Sequence, residues 1–450
     1  MNFKYTLKNK TISGFSKLSK RGKIKWIVEN FFKDPENVMH ELMSYWHRNE
    51  DQQKLIDTFS ENTISNYILP YGVAPNFLIN GRTYCVPMVT EESSVVAAAS
   101  AGAKFWMERG GIQAKVLGTV KLGQIHFKWN GSLEKLELLL PSLKKLMLQD
   151  AEALIRNMQN RGGGIGDIKI RSFESINNYY QLLVSFETCD SMGANFINSC
   201  LESFSSSLEK FITHTEELND DQREVECIMA ILSNYTPECV VKVWVECPIN
   251  DLGSVGGMLQ AHEFAEKFRL AVDIAHQDVY RAVTHNKGIF NGVDAVVLAT
   301  ANDFRAVEAC GHAFACRDGQ YRSLSQCWVS DDTFHFSLEL PLALGTIGGL
   351  TSLHPMAKRS LELLGNPDAK ELMMIAASTG LAQNFAAIRS LVTTGIHYGH
   401  MKMHLKNILL QLKADPDETQ KAELHFATHK ISFNAVRDFL HNVRNSKRLF

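Results

Sequence analysis

The sequence predicts an α+β fold in which a small split β-α-β sandwich is inserted into a larger, mostly helical domain. Two zones, residues 30–117 and about 228–394, are rich in alanine, glycine and apolar residues at helical spacing. The zone between them alternates strand and helix patterns, as such sandwiches do, and a charged amphipathic tail ends the chain. We therefore assign the large domain to residues 1–117 and 228–395, the small domain to 118–227, and the tail to 396–450.

Period-two alternation predicts strands in and after the small zone, at residues 124–129, 167–173, 182–186 and 240–245. Residues 133–158 carry apolar side chains at helical spacing, and this helix should stop at the glycines of residues 162–164. A second helix pattern begins near Asp190. No GxGxxG motif opens a helix after a strand, so a dinucleotide would not be bound as in a doubly wound, Rossmann-type domain.

The larger zone contains three further predicted helices and one short buried strand. Carboxylates precede two of these helices, where a helix N-terminus favours negative charge: Glu91 and Glu92 before the first, Asp303 before the second. Lys287 is expected in a glycine-flanked loop. The predicted helices are 92–109, 304–315 and 380–394, and the predicted strand is 295–300.

Composition and charge argue against several classes of partner. A formal net charge of -2 gives no electrostatic reason to expect nucleic acid or an anionic membrane. The basic start of the chain resembles a targeting signal, but no apolar segment or cleavage site follows, which favours a solvated arm. The most apolar stretch, residues 336–350, is too short to cross a bilayer. Nine cysteines without a CxxC pair predict reduced thiols and a cytoplasmic protein.

Two groups of residues have the composition of a metal site. Cys310, His312 and Cys316 do not share one helical face, so buried packing is the favoured interpretation. The histidines at 397, 400 and 404 do share a face, but no carboxylate lies within that turn. We therefore predict no metal.

Three segments place unusual polar groups at the ends of elements: residues 87–94 (PMVTEESS), residues 281–291 (RAVTHNKGIFN) with Asp303, and residues 399–401 (GHM). Each has an ordinary alternative. Glu91 and Glu92 could simply favour a helix dipole, Lys287 could be a surface lysine, Asp303 a plain helix cap, and His400 one of a stripe.

Taken together, seven motifs resemble the hydroxymethylglutaryl-coenzyme A (HMG-CoA) reductase family, in its soluble bacterial class II branch. They follow the family's order from about residue 12 to about residue 410. Three serines depart from the family's usual residues: Ser65 stands where Gly is usual, Ser93 where Pro is usual, and Ser191 where Ala is usual. The motifs are ENTIS (61–65), PYGVAPNF (70–77), VPM with two glutamates (86–92), DSMGAN (190–195), THNKG (284–288), GLAQN (380–384) and GHM (399–401).

The resemblance implies reduction of HMG-CoA to mevalonate and coenzyme A by two hydride transfers. It implies that Lys287 stabilises the oxyanion, because each hydride places negative charge on the carbonyl oxygen. Glu92 would be the general acid, with Asp303 orienting Lys287 and coupling to Glu92. His400 would protonate the departing thiolate, a task that suits an imidazole.

The resemblance also implies a ferredoxin-like, dinucleotide-binding small domain and a C-terminal flap that carries the histidine. Arg281 and Ser94 would hold the substrate carboxylate. Arg156 and Arg161 could pair with a ribose 2′-phosphate, which favours NADP over NAD, or could be solvated helix residues. Further substrate-binding residues are Asn234, Asn291, Gln383, Asn384, Glu61 and Asn62; cofactor-binding residues are Asp190, Met192, Gly193, Ala194, Asn195 and Arg156.

The expected partners are therefore HMG-CoA, mevalonate and coenzyme A, in a homodimer or an assembly of dimers with shared active sites. Two alternatives remain open at the level of sequence. The same enzyme could run in the mevalonate-oxidising, catabolic direction, or the chain could be a catalytically retired coenzyme A-binding homologue.

Overall fold

The computed structural model describes residues 10–255, 259–393 and 405–447. The chain separates into two compact units, Met1–Pro70 and Tyr71–Phe450. The described part of the first unit is helical, and each of its α-helices begins at a side chain (Ser19, Asp34 or Asn49) that accepts a backbone hydrogen bond, so the sequence sets these starts. Its elements are a 3-10 turn (Phe15–Lys17) and helices α1 (Lys20–Phe31), α2 (Pro35–Ser44) and α3 (Glu50–Asp57).

The second unit opens with an antiparallel hairpin of β1 (Tyr71–Ile79) and β2 (Arg82–Val89). Its two-residue turn, Asn80-Gly81, has both φ angles positive, at 48° and 81°. This turn geometry matches the right-handed twist of paired strands, and asparagine and glycine adopt it readily. The hairpin directs the chain after β2 towards helix α4 (Val95–Met107).

A four-stranded antiparallel sheet has the order β5-β6-β4-β7. With its helices the connectivity is β-α-β-β-α-β, so the predicted split β-α-β sandwich is confirmed. The predicted 133–158 helix is two helices that meet at Ala151. The elements are β4 (Lys121–Trp129), α5 (Leu133–Asp150), α6 (Glu152–Gln159), β5 (Gly164–Ser172), β6 (Tyr179–Glu187), α7 (Ala194–His214) and β7 (Val225–Ser233).

A second four-stranded sheet has the order β3-β8-β10-β9 and shares one apolar core with several helices. The mixture of helices and sheets confirms the predicted α+β class, whereas the predicted domain boundaries stay a prediction. The elements are β3 (Gln113–Val116), β8 (Val240–Pro248), α8 (Ala261–Gln277), α9 (Val279–Ala299), α10 (Phe304–Ala315), β9 (Ser325–Ser330), β10 (Thr333–Pro341), α11 (Gly349–Leu353), α12 (Pro355–Leu363) and α13 (Ala369–Val392).

Two predictions on α9 were wrong. Residues 295–300 are not a strand, because all but Thr300 belong to α9. Lys287 lies in the middle of the same helix and not in a loop. A short apolar run fits a buried strand and a buried helix equally well, and here burial of Val293, Val296 and Val297 inside the large core stabilises the helix.

Other helices match their prediction more closely. Helix α10 has the predicted bounds, and α13 begins eleven residues before the predicted Gly380, at Ala369. The described tail is helical at residues 405–411, in α14 (Pro416–Phe426) and in α15 (Phe433–Lys447), with a small apolar cluster of its own. Within the described ranges, no helix is both long and apolar enough to cross a membrane.

Candidate active site

The centre of the candidate site is an ion pair between Lys287 and Glu92. The Lys287 ammonium donates to Glu92 Oε2 at 2.5 Å, although 195 residues separate the two in sequence. Helix α9 carries the lysine, and the turn between β2 and α4 carries the glutamate. The two side chains are 59% and 39% exposed, so both remain accessible to a ligand.

The Glu92 turn is shaped by its neighbours. The Glu92 backbone N–H donates to Thr90 Oγ1 at 3.2 Å. Ser94 has φ of 75°, a left-handed conformation that a non-glycine residue seldom adopts, and α4 begins directly after it. This backbone explains why α4 starts at Val95 and not at the predicted residue 92.

One face of α9 lines the pocket that surrounds the ion pair. Lys287, Asn291 and Asp294 are spaced i, i+4 and i+7, which places them on the same side of a helix. Glu308 of α10 completes the polar lining, and apolar contacts come from both helices. The pocket is lined by Val89, Thr90, Glu91, Glu92, Lys287, Phe290, Asn291, Asp294, Ala295, Leu298, Phe304 and Glu308.

Asp303 caps the N-terminus of α10. Its Oδ1 accepts from the backbone N–H of Arg305 and Ala306 at 3.1 and 3.2 Å, and its carboxylate pairs with the Arg305 guanidinium. Burial acts to raise the pKa of Asp303, but the Arg305 and backbone hydrogen bonds outweigh it and lower that pKa. Among the residues that the structure covers, no hydrogen bond or ion pair joins Asp303 to Lys287 or Glu92. The predicted orienting role stays a prediction.

Arg281 lies two turns before Lys287 on α9. It is half-buried, and desolvation lowers its pKa. In the part of the chain that the structure describes, no carboxylate pairs with it. A half-buried guanidinium without an anion is a suitable partner for a carboxylate ligand.

A buried polar chain lies behind this segment. His285 Nε2 lies 2.7 Å from Ser325 Oγ, which donates to Asn384 Oδ1 at 2.9 Å, so α9, β9 and α13 are joined. Burial, then Arg281 and His276, lowers the pKa of His285 to about 3. Buried Gln383 is next in sequence to Asn384, and its Oε1 has no hydrogen-bond partner among the described residues.

A second pocket brings predicted substrate and cofactor residues together. Asn234 lies beside Met192 and Ala194, and sequence reasoning did not identify Lys121, which lines the same pocket. The lining is Lys121, Met192, Ala194, Ile197, Leu232, Ser233, Asn234, Thr236, Ala306, Val307, Cys310 and Ala343.

Gly193 positions the start of α7 at this pocket. Its φ is 89°, and a Cβ there would lie 2.5 Å from Thr188 Cγ2, so glycine is required on both counts. No side chain caps the helix at Gly193, so no cap satisfies the first backbone N–H groups of α7. Asn195, in this first turn, is exposed. Asp190 joins the preceding loop to the start of α13, because its Oδ1 accepts a hydrogen bond from the Ala369 backbone N–H at 2.9 Å.

The two candidate phosphate-binding arginines differ in their surroundings. Arg156 is exposed and pairs with Glu152 one turn earlier on α6. The carbonyl of Arg161 accepts from Cys189 Sγ at 3.3 Å, which places Arg161 beside the loop that leads to Gly193.

Among the predicted residues that line neither pocket, three remain to be described. Glu61 and Asn62 lie in the first compact unit, where Asn62 has φ of 57°. His400 lies outside the described residues. Within the described ranges, no group of three or more metal-binding side chains could hold a metal ion.

The sequence analysis did not identify Asp294 or Glu308, and Asp294 was missed because residues 295–300 were predicted to be a strand. With α9 treated as one helix, the i, i+4, i+7 spacing from Lys287 would have indicated Asn291 and Asp294 together. No comparable pattern within the sequence indicates Glu308, whose position depends on how α10 packs against α9.

Comparisons with known proteins agree on one family. The family model for hydroxymethylglutaryl-coenzyme A reductase matches residues 24–405. The 3-hydroxy-3-methylglutaryl-coenzyme A reductase of Archaeoglobus fulgidus is 34% identical over 439 residues, which is 96% of this chain and 95% of the relative. A probable reductase of Borreliella burgdorferi is also 34% identical, over 96% of this chain and 94% of its own length.

Solved structures give the same result. The Streptococcus pneumoniae reductase superposes with a TM-score of 0.69 at 34% identity, over 96% of this chain and all of that one. A class II reductase from the same organism, solved with bound NADPH in open conformations, gives a TM-score of 0.68 at 35% identity over 85% of this chain and all of that one.

Proposed function

The chain belongs to the hydroxymethylglutaryl-coenzyme A reductase family, and from that premise we propose that it reduces HMG-CoA to mevalonate and coenzyme A with NADPH, in two successive hydride transfers. The observation that carries the proposal is the 2.5 Å contact between Lys287 and Glu92. An ammonium and a carboxyl group meet in one open pocket, where a carbonyl can receive both positive charge and a proton.

Lys287 stabilises the oxygen of the reacting carbonyl. Each hydride addition turns that oxygen into an oxyanion, and a fixed cation is most effective where negative charge develops. Its position in the middle of a helix supports this role, since α9 is held by the buried chain from His285 to Asn384.

Glu92 supplies the proton that converts the alkoxide to an alcohol. Its contact with Lys287 places it within reach of the same oxygen, which is the geometric requirement for a general acid. Asp303 is proposed to assist this pair when substrate is bound, and His400 to protonate the thiolate of coenzyme A. The second role rests on the family resemblance.

Arg281 and Ser94 hold the free carboxylate of the substrate. The support is the half-buried Arg281 guanidinium, whose donors face no carboxylate in the described part of the chain. Additional polar contacts are proposed for Asn234, Asn291, Gln383, Asn384, Glu61 and Asn62.

The residues around α7 fit a dinucleotide. The absence of a side-chain cap at Gly193 leaves N–H groups for a pyrophosphate, and Lys121 and Arg161 supply positive charge nearby. A bound reduced nicotinamide supplies the hydride. We propose that Asp190, Met192, Gly193, Ala194 and Asn195 hold this cofactor, with Arg156 or Arg161 on a 2′-phosphate. The NADPH-bound relative supports NADP over NAD.

We further propose that the protein works as a homodimer or an assembly of dimers, with a C-terminal flap. The direction of the reaction depends on cellular concentrations, because one site catalyses both reduction of HMG-CoA and oxidation of mevalonate. The presence of Glu92, Lys287, Asp303 and His400 argues against a retired homologue.

The test is a spectrophotometric assay of the purified full-length protein with HMG-CoA, comparing NADPH and NADH. We expect consumption of about two reduced cofactors for each HMG-CoA, faster with NADPH, and mevalonate as product. Mevalonate with coenzyme A and NADP should drive the reverse reaction. If neither reduced cofactor is consumed, the proposed activity is wrong.

A further inference from the structure

The pocket around Lys287 contains a second acidic pair that the mechanism above does not use. Asp294 of α9 and Glu308 of α10 both line it, together with Glu92 and Lys287. Asp294 Oδ1 is buried and has no hydrogen-bond partner among the described residues. An unpartnered carboxylate oxygen in a buried position is costly when it is charged.

The charges that line the pocket are unbalanced. Glu91, Glu92, Asp294 and Glu308 are four carboxyl groups, whereas Lys287 is the one cationic side chain among the lining residues. The ion pair with Glu92 already uses that cation. The nearby Arg305 pairs with Asp303. A fully ionised pocket would therefore repel an anionic substrate, and holding one proton reduces the repulsion.

Asp294 is the group best placed to hold that proton. Burial, followed by the charge of neighbouring Glu308 and a hydrogen bond between the two carboxyl groups, raises the pKa of Asp294 to about 8. Phe290, Leu298 and Phe304 supply the apolar surroundings that produce this desolvation. Near neutral pH the Asp294 carboxyl group is therefore protonated and uncharged. It lies on the same face of α9 as Asn291, one turn away, and Lys287, two turns away.

We propose that Asp294, facing Glu308, holds a reserve proton for the active site and returns it to Glu92 after Glu92 has protonated the product oxygen. This inference rests on the proposed function. Two helical turns, about 10 Å, separate Asp294 from Lys287 along α9, so the proton passes through water in the open pocket. The Asp294 O–H bond breaks as Asp294 gives its proton to a water, and that water gives a proton to the Glu92 carboxylate, where the new O–H bond forms. Solvent then reprotonates Asp294, so one proton is consumed for each proton given to the substrate. Asp294 does not contact the substrate in this proposal. It acts on the reaction only through the protonation of Glu92, and in that sense it is a positioning residue.

The decisive variant is Asp294→Asn, which keeps the shape and neutrality of the acid but cannot release a proton. We expect kcat near pH 7 to fall about tenfold, with the KM for HMG-CoA nearly unchanged. The loss of kcat above about pH 8 in the parent protein should disappear in the variant. Asp318→Asn, the same chemical change at an exposed position after α10, should match the parent.

Glu308→Gln is the second variant. Removing its negative charge should lower the pKa of Asp294 and move the alkaline limb of the kcat profile to lower pH. A structural role alone would not move this limb. If the Asp294→Asn profile coincides with that of the parent from about pH 6 to about pH 10, the inference is overturned.

An infrared measurement separates this inference from the proposed function. A protonated-carboxyl C=O band that titrates near pH 8 should be present in the parent protein, and that band should be absent from Asp294→Asn. The band requires no turnover. If the parent consumes no NADPH, the proposed function fails. If the parent is active but the band is missing, the reserve proton fails.

Discussion

At the scale of single residues, the Lys287–Glu92 contact brings together two groups that lie far apart in sequence and that are proposed to act on one carbonyl. Sequence spacing alone could not predict this contact, since α9 and the Glu92 turn meet only through tertiary packing. The family resemblance predicted that they converge. The resemblance did not predict that Arg305 pairs with the Asp303 carboxylate. This ion pair is a local interaction between a helix-capping residue and an arginine two positions later.

Lys287→Ala tests the electrostatic role of the lysine. We expect kcat to fall about 100-fold or more, since removing a preorganised charge from a developing oxyanion typically costs this much. Stability should change by less than about 1 kcal/mol, because the ion pair is partly exposed. Steady-state kinetics and thermal unfolding of the same preparation measure both quantities.

A matched control is available on α8. Lys267 also donates to a glutamate, Glu263, at 2.8 Å, and is exposed. Lys267→Ala should leave kcat unchanged and alter stability about as little as Lys287→Ala. Near-parental kcat in Lys287→Ala would remove the lysine from its proposed role.

At the scale of elements, the position of the site depends on how closely α9 packs against α13. A Cβ at Gly292 would lie 2.7 Å from the Thr379 carbonyl oxygen, and one at Gly380 would lie 2.7 Å from Val293 Cγ2. These glycines therefore permit close approach of two helices. The sequence predicted helices in this zone but did not predict that α9 and α13 cross closely. In a helix that is buried on all sides, the apolar residues no longer show the period by which a helix is recognised.

Glycine-to-alanine substitutions on α9 should have opposite effects at two positions. Gly292→Ala should destabilise the protein by about 1–3 kcal/mol through overpacking. Gly288→Ala should stabilise it by about 0.5–1 kcal/mol, because nothing lies within 4 Å of a Cβ there and alanine has the higher helix propensity.

Chemical denaturation of both variants at one protein concentration gives the two free energies of unfolding. Since the substitutions are chemically identical and four residues apart, helix propensity acts equally on both and only the packing differs. Equal effects of the same sign would contradict the close-packing interpretation of Gly292.

At the scale of the whole molecule, three separate apolar clusters define the architecture. One combines residues from 74–114 with residues from 239–388, a second belongs to the split β-α-β sandwich, and a third to the tail. Most of the sandwich was predictable because its strands alternate with period two. Strand β7 was not predictable from the sequence. Its segment VECIMAILS does not alternate apolar and polar residues, and β7 lies at the edge of the sheet.

The stability of the molecule should depend on pH through two buried groups of opposite sign. The pKa of His285 is lowered from 6.5 to about 3, so its contribution is present above pH 6.5 and is lost as the pH falls through about 3. The pKa of Asp294 is raised from 3.8 to about 8, so its contribution is present below pH 3.8 and is lost as the pH rises through about 8. Between pH 3.8 and pH 6.5, the unfolded-state pKa values of the two groups, a rise in pH increases the stability contributed by His285 and decreases that contributed by Asp294.

Above pH 6.5 the Asp294 effect therefore acts without opposition from His285. We expect the free energy of unfolding to decline between pH 6.5 and 8, by at most about 2 kcal/mol from this residue. Asp294→Asn should remove that decline, because an amide does not titrate. Urea unfolding across this window at fixed protein concentration measures it, as the difference between parent and variant cancels the other ionisable groups. A difference that does not change with pH would mean that Asp294 is already ionised in the folded protein.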